Sequence, residues 1–193
     1  MRIAIFGGTF DPIHAAHVSV AEEAARQFVL DRVLIIPAAQ PPHKNDLART
    51  PYEHRYRMVE LACAGHAALE PSRLEEGART SYSIDTIERI ALAPGDTLYF
   101  IIGADAFAEI RTWRRWQDVI ARVDFIVVSR PGHQYDLPTG ARVHRLDTLH
   151  MTTSSTEIRK QLALGNRPDG LPDSVWNYIR EKGLYAPQAF AAH

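Results

Sequence analysis

Cysteine is almost missing from this chain. Cys63 is the only one in 193 residues, which excludes a disulfide framework and a zinc site built from several thiolates. It lies in the apolar run Leu61-Ala62-Cys63-Ala64, where a small core thiol is the expected role. An excess of one charge is lacking too. With 22 Lys+Arg against 23 Asp+Glu the formal net charge is −1, too little for a global field that attracts nucleic acid, so any bound anion must be held by a local site. Long hydrophobic runs are absent: the first apolar stretch, Ile3 to Phe6, stops at Gly7-Gly8 and is too short for a membrane span or a leader core. These absences lead us to expect a cytoplasmic protein that engages neither membrane nor nucleic acid. What is present is an ordinary globular composition, 46% hydrophobic and 23% charged, which excludes the disordered and fibrous classes.

Apolar runs of strand length alternate with segments of helical period. The runs are Arg2 to Phe6, Arg32 to Pro37, Thr97 to Ile102, Val123 to Val128 and, more weakly, Ala141 to Leu146. This β-then-α rhythm predicts an α/β fold with a doubly wound parallel sheet, in one domain spanning residues 1–193. Val18, Ala21, Ala24, Ala25 and Phe28 recur at three- and four-residue spacing, predicting an amphipathic helix from about residue 15 to 28. Thr50-Pro51-Tyr52-Glu53 and Ser154-Ser155-Thr156-Glu157 both read as capping boxes. The first opens a helix through Met58, Val59 and Leu61; the second opens one with Ile158 and Leu162 inward and Gly165 as its stop. A C-terminal helical segment from about Pro172 to Lys182 ends at Gly183, leaving residues 185–193 as a frayed tail. Two irregular stretches, Ala38 to Arg49 and Ser129 to Gly140, follow predicted strands, where open parallel sheets bind their ligands.

The segment richest in chemistry is Gly7-Gly8-Thr9-Phe10-Asp11-Pro12-Ile13-His14-Ala15-Ala16-His17, between the first strand and the first helix. Glycines at a strand end let a ligand approach the backbone, and the helix N-terminus that follows offers free N–H groups and the positive end of a dipole. His14 and His17 lie one helical turn apart, so both can donate to one anion. A tight turn carrying two surface histidines fits the same spacing. A zinc protease site does not, because the H-E-x-x-H pattern is absent, and neither the Walker loop nor G-x-G-x-x-G is present. The sequence suggests no metal ligand.

The order and spacing of several further motifs resemble one family across nearly the whole chain. Pro41-Pro42-His43-Lys44 follows the second strand, and Ser81-Tyr82-Ser83-Ile84-Asp85-Thr86 opens a middle helix. Gly103-Ala104-Asp105 follows a later strand with Trp113 beyond, and Ser154-Ser155-Thr156-Glu157-Ile158-Arg159 lies near the end. Together with G-G-T-F-D-P-I-H-x-x-H these resemble the nucleotidyltransferases with the (H/T)-x-G-H motif, specifically the bacterial nicotinate-nucleotide adenylyltransferases. The family has glycine where this chain has Ala16.

The resemblance implies a Rossmann-like fold and transfer of AMP from ATP to nicotinate mononucleotide, with Mg2+ carried on the ATP phosphates. It implies that Gly7, Gly8, Thr9 and Phe10, with His14 and His17, hold the ATP phosphates, and that Lys44 and His43 meet phosphate from the Pro-rich loop. Ser155 and Arg159 would contribute at a second helix end, Gly103 and Asp105 at the ribose, and Arg130 at the adenine border. Tyr82, Thr86 and Trp113 would form the nicotinate side, with Trp113 stacking on the pyridine ring and Thr86 helping to fix the carboxylate, and Trp116 left to the core. His14, His17, Lys44 and Arg159 are the expected catalytic set. A homo-oligomer is compatible with all of this. Two other readings stay open: a phosphopantetheine adenylyltransferase-like enzyme, which typically has Thr where His14 stands, and a nucleotide-binding sensor without turnover.

Overall fold

The computed structural model describes residues 1–40, 50–129, 134–147 and 154–186. Six parallel strands are joined in the order β3-β2-β1-β4-β5-β6: β1 Arg2–Gly8, β2 Arg32–Pro37, β3 Leu69–Pro71, β4 Thr97–Gly103, β5 Asp124–Ser129 and β6 Arg142–Asp147. The helices among the described residues are α1 Ala15–Gln27, α2 Tyr52–Cys63, α3 Ser83–Glu88, α4 Ala104–Ala108, α5 Trp116–Arg122, α6 Ser155–Ala163 and α7 Asp173–Lys182. The predicted doubly wound sheet is therefore observed. All five predicted strands form within two residues of their expected limits; β3 is the one the apolar runs did not reveal, being three residues with an exposed Glu70 at its centre.

Strand periodicity explains why both faces are covered. Along β1, Ile3 and Ile5 face one layer with Leu34, Phe100 and Phe125, while Ala4 faces the other with Val33, Tyr99 and Ile126. Successive side chains point to opposite faces, so a strand apolar at every position needs helices on both sides. The first layer is closed by Ile84 and Ile87 of α3, Phe107 of α4 and Val119 of α5. The second is closed by Val18 and Ala21 of α1, Met58 of α2, Ile158 of α6 and Val175 and Ile179 of α7.

Helix ends follow local chemistry with two departures. Ser154 caps α6 as predicted, its hydroxyl accepting from the Glu157 N–H at 3.2 Å, and Gly183 ends α7 in the left-handed region at φ 61°. Thr50, however, does not cap α2, whose cap position is Pro51. Thr50 is drawn instead toward the first βα loop: its N–H donates to Asp11 Oδ2 at 3.4 Å and its carbonyl accepts from Arg55 Nε at 3.0 Å. The second departure is the tail expected from residue 185. Leu184 and Tyr185 pack against the core, and residues 187–193 lie outside those described.

Candidate active site

The chain turns one way after β1, into α1, and the other way after β4, into α4, so the C-terminal ends of these neighbouring strands part. A crevice at such a point is where open α/β sheets bind ligands. A cavity of about 560 Å3 opens here, lined by Gly7, Gly8 and Thr9 at the end of β1, Gly103 at the end of β4, Tyr82 and Thr86 of the α3 region, and Trp113. Its volume lies in the range that takes a small ligand. Trp113 closes a 3-10 turn, Ile110–Thr112, in extended conformation rather than lying within a helix. Its ring meets Phe100 edge-on at 5.7 Å and is part of the cavity wall, whereas Trp116 packs against the core as predicted.

Beside the cavity, the β1–α1 loop sets the histidine pair. His14 occupies the cap position of α1 with φ −144°, and its N–H donates to His17 Nδ1 at 3.3 Å. The two rings stack with centroids 3.7 Å apart. Phe10 stands edge-on to His17 at 5.0 Å. Phe10 is itself left-handed at φ 47°, and a Cβ on Gly8 would come within 3.0 Å of its ring, so the close approach of loop to ring requires glycine there. Burial lowers the His14 pKa to about 4. Burial, and next the charge of His14, hold His17 well below the usual histidine value. Both rings are thus neutral near pH 7. Because His17 Nδ1 accepts a hydrogen bond, its proton sits on Nε2, which is left as a donor. His14 Nδ1 is buried with no partner, an uncommon condition that a bound group could relieve.

The same loop is gripped from other elements. Ser155 Oγ donates to the Pro12 carbonyl at 3.0 Å, and Arg159 Nη1 donates to the Asp11 carbonyl at 2.6 Å. This brings the N-terminal turn of α6 against the histidine loop, uniting two motifs more than 140 residues apart. Arg55, only 1% exposed, donates from Nη1 to the Thr9 carbonyl at 2.7 Å. Burial depresses its pKa, opposed first by the charge of Asp11. Tyr185 donates its hydroxyl to Asp11 Oδ1 at 2.5 Å.

Other predicted residues fall differently. Thr86 lines the cavity, but its hydroxyl donates to Glu75 Oε1 at 2.7 Å, so its single proton is committed and it offers the cavity only acceptor character. Asp105 lies exposed in the first turn of α4, beyond the end of β4 and outside the cavity lining. Ala16 sits partly exposed in the first turn of α1. His43, Lys44 and Arg130 lie outside the described residues. Sequence reasoning passed over Asp11, Arg55, Glu75 and Tyr185. For Arg55 a signal existed, since it shares the apolar face of α2 with Met58, Val59 and Ala62. For Glu75 and Tyr185 there was none, as both owe their burial to distant segments.

Comparisons with known proteins agree with this architecture. The cytidylyltransferase-like family model matches residues 5–161. A Solibacter usitatus protein named probable nicotinate-nucleotide adenylyltransferase is 60% identical over 187 residues, covering 96% of this chain and all of that one. A Pelobacter propionicus protein of the same name is 41% identical, covering 96% and 99% of the two chains. Among solved structures, the Plasmodium falciparum nicotinic acid mononucleotide adenylyltransferase complexed with NaAD superposes with a TM-score of 0.79 at 21% identity, over 95% of this chain and 97% of that one, which speaks to the fold. Likeness over the full length to these relatives shows that the chain belongs to the nicotinate-nucleotide adenylyltransferase family of cytidylyltransferase-like proteins.

Proposed function

We propose that this protein transfers the adenylyl group of ATP to nicotinate mononucleotide, releasing pyrophosphate, with the whole chain acting as one nucleotidyltransferase domain. The ATP phosphates lie over the Gly8–Phe10 backbone and the His14–His17 pair, and the pyridine ring lies between Tyr82 and Trp113. The observation that carries this reading is the stacked, neutral histidine pair placed where β1 and β4 part. The acceptor phosphate is already an anion and needs no general base to attack the α-phosphorus. As the new P–O bond forms, the bond to pyrophosphate breaks. Catalysis then consists of aligning two anions in line and stabilising charge on the transferring phosphoryl and its leaving group. His17 Nε2–H is a preorganised donor for that charge.

The magnesium ion that this reaction uses arrives on ATP and keeps phosphate and water oxygens as its ligands. Preference for the acid over the amide has support from Arg114 on the cavity wall, whose guanidinium lies 4.7 Å from the Tyr82 ring and 3.8 Å from Asp85. A cation at this rim favours a nicotinate carboxylate over a neutral carboxamide.

The test is pyrophosphate release from purified protein with Mg-ATP and, separately, nicotinate mononucleotide, nicotinamide mononucleotide and phosphopantetheine. Turnover with the first, well above the second and third, is expected. ATP binding without turnover on any of them would replace this reading with a sensor.

A further inference from the structure

The mechanism above uses the face of the β1–α1 loop that meets ATP and leaves its opposite side unexplained. On that side the Asp11 carboxylate, 2% exposed, receives the Tyr185 hydroxyl on Oδ1 at 2.5 Å and the Thr50 N–H on Oδ2 at 3.4 Å. A hydroxyl-to-carboxylate bond of that length belongs to the strong, charge-assisted kind. Tyr185 stands two residues beyond the Gly183 that ends α7 and is held at φ 61°, a left-handed backbone that a tyrosine keeps only where its contacts over-determine it. Strain at such a place commonly accompanies function. The loop it holds is strained as well, with Phe10 at φ 47°, and Phe10 is the ring that backs His17.

From this geometry we infer that Tyr185 is a positioning residue for adenylyl transfer: it clasps Asp11 from behind and thereby holds the phosphate loop and its histidine pair in register. The inference rests on the reading that this loop carries the ATP phosphates. Arg159 and Ser155 hold the Asp11 and Pro12 carbonyls from α6, and Arg55 holds the Thr9 carbonyl from α2. Those three donors restrain the backbone. Tyr185, by contrast, holds the Asp11 side chain and brings in the residues that follow α7. Burial, then the charge of Asp11 and the bond to it, raise the phenol pKa, so Tyr185 stays a proton donor across the working range.

The experiment measures kcat and both KM values for Tyr185→Phe, Asp11→Asn and the double variant, with melting temperatures recorded alongside. Loss of one such bond in the aligned complex is expected to lower kcat by about tenfold in each single variant, with KM for nicotinate mononucleotide nearly unchanged. The double variant should be no worse than the worse single one, since Tyr185→Phe removes the donor of the bond and Asp11→Asn removes the charge that strengthens that same bond. Unchanged kinetics in Tyr185→Phe with only a lower melting temperature would reduce the contact to a structural staple and overturn the proposal. Multiplying losses in the double variant would overturn it as well. Should Tyr185→Phe fail to fold, Asp11→Asn reads the clasp from its other end, and normal turnover there refutes it. A wild-type protein without turnover, or one whose His17→Ala variant turns over normally, would instead count against the reading of the loop.

Discussion

His14 and His17 show how one pair of side chains carries two separable effects. The hydrogen bond from the His14 N–H fixes the His17 tautomer, and burial keeps both rings neutral. For catalysis the consequence is a split between rate and binding. His17→Ala should lower kcat by about a hundredfold or more, the usual cost of losing one preorganised donor at a developing oxyanion, while ATP affinity falls much less; equal losses in both would remove the transition-state role. For stability the consequence is acid sensitivity of the free protein. His14 has a folded-state pKa of about 4 against an ordinary histidine value of 6.5, so below pH 6.5 the unfolded chain binds a proton that the folded one refuses. Stability from this residue is fully present above pH 6.5 and is lost as the pH falls to about 4. The loss amounts to about 3 kcal/mol, and His17 acts in the same direction. Melting temperature should therefore fall as the pH is lowered across this window in the wild type and flatten in His14→Gln. Identical slopes would show that the ring titrates normally.

The short segment between β4 and α5 forms one wall of the cavity. Arg115 is left-handed at φ 52°, which separates the 3-10 turn from α5 and gives Trp113 and Trp116 different tasks despite their helical spacing. Trp113→Ala should raise KM for nicotinate mononucleotide by about tenfold or more, in keeping with the roughly 1–3 kcal/mol typical of base–aromatic stacking, and leave KM for ATP within about twofold. A rise in both would place the ring in the core rather than against the substrate. On the neighbouring wall, Glu75 accepts the Thr86 hydroxyl through Oε1 while its Oε2 is buried without a partner. The hydroxyl that the sequence offers for a carboxylate is thus already bonded. Burial of this acid against α3 depends on how the turn after β3 packs on that helix, held by Glu75 to Thr86 and by Arg89 to the Leu74 carbonyl, which no local pattern announces.

Taken across the molecule, the groups that hold the β1–α1 loop come from α2, α6 and the residues after α7, as well as from the loop itself. Ligand bound there is linked to most of the chain. Mg-ATP at a hundred times its Kd should stabilise the fold by about 2.7 kcal/mol and do so as one shift of a single melting transition. A second transition that ignored ATP would mean that the C-terminal helices unfold apart from the sheet. No helix among the described residues is long and apolar enough to cross a membrane.

The architecture was readable along the chain because its causes are periodic. Ile3 to Ile5, Val33 to Ile36 and Phe125 to Val128 are apolar at every position, and only a sheet covered on both faces buries such runs. The capping serine of α6 and the glycine after α7 act within a few residues of themselves, so Ser154 and Gly183 do as expected. Thr50 does not, because its N–H is taken by Asp11, 39 positions away. Around the cavity, Gly8, His14 and His17 could be picked out by residue type and spacing, and Tyr82 and Trp113 by the family resemblance. The contacts that orient them could not. Tyr185 meets Asp11 across 174 positions, and Arg159 meets the Asp11 carbonyl across 148. Such pairs exist only once sheet and helices have packed, since a buried charge or hydroxyl takes its partner from whatever the fold brings within hydrogen-bond reach.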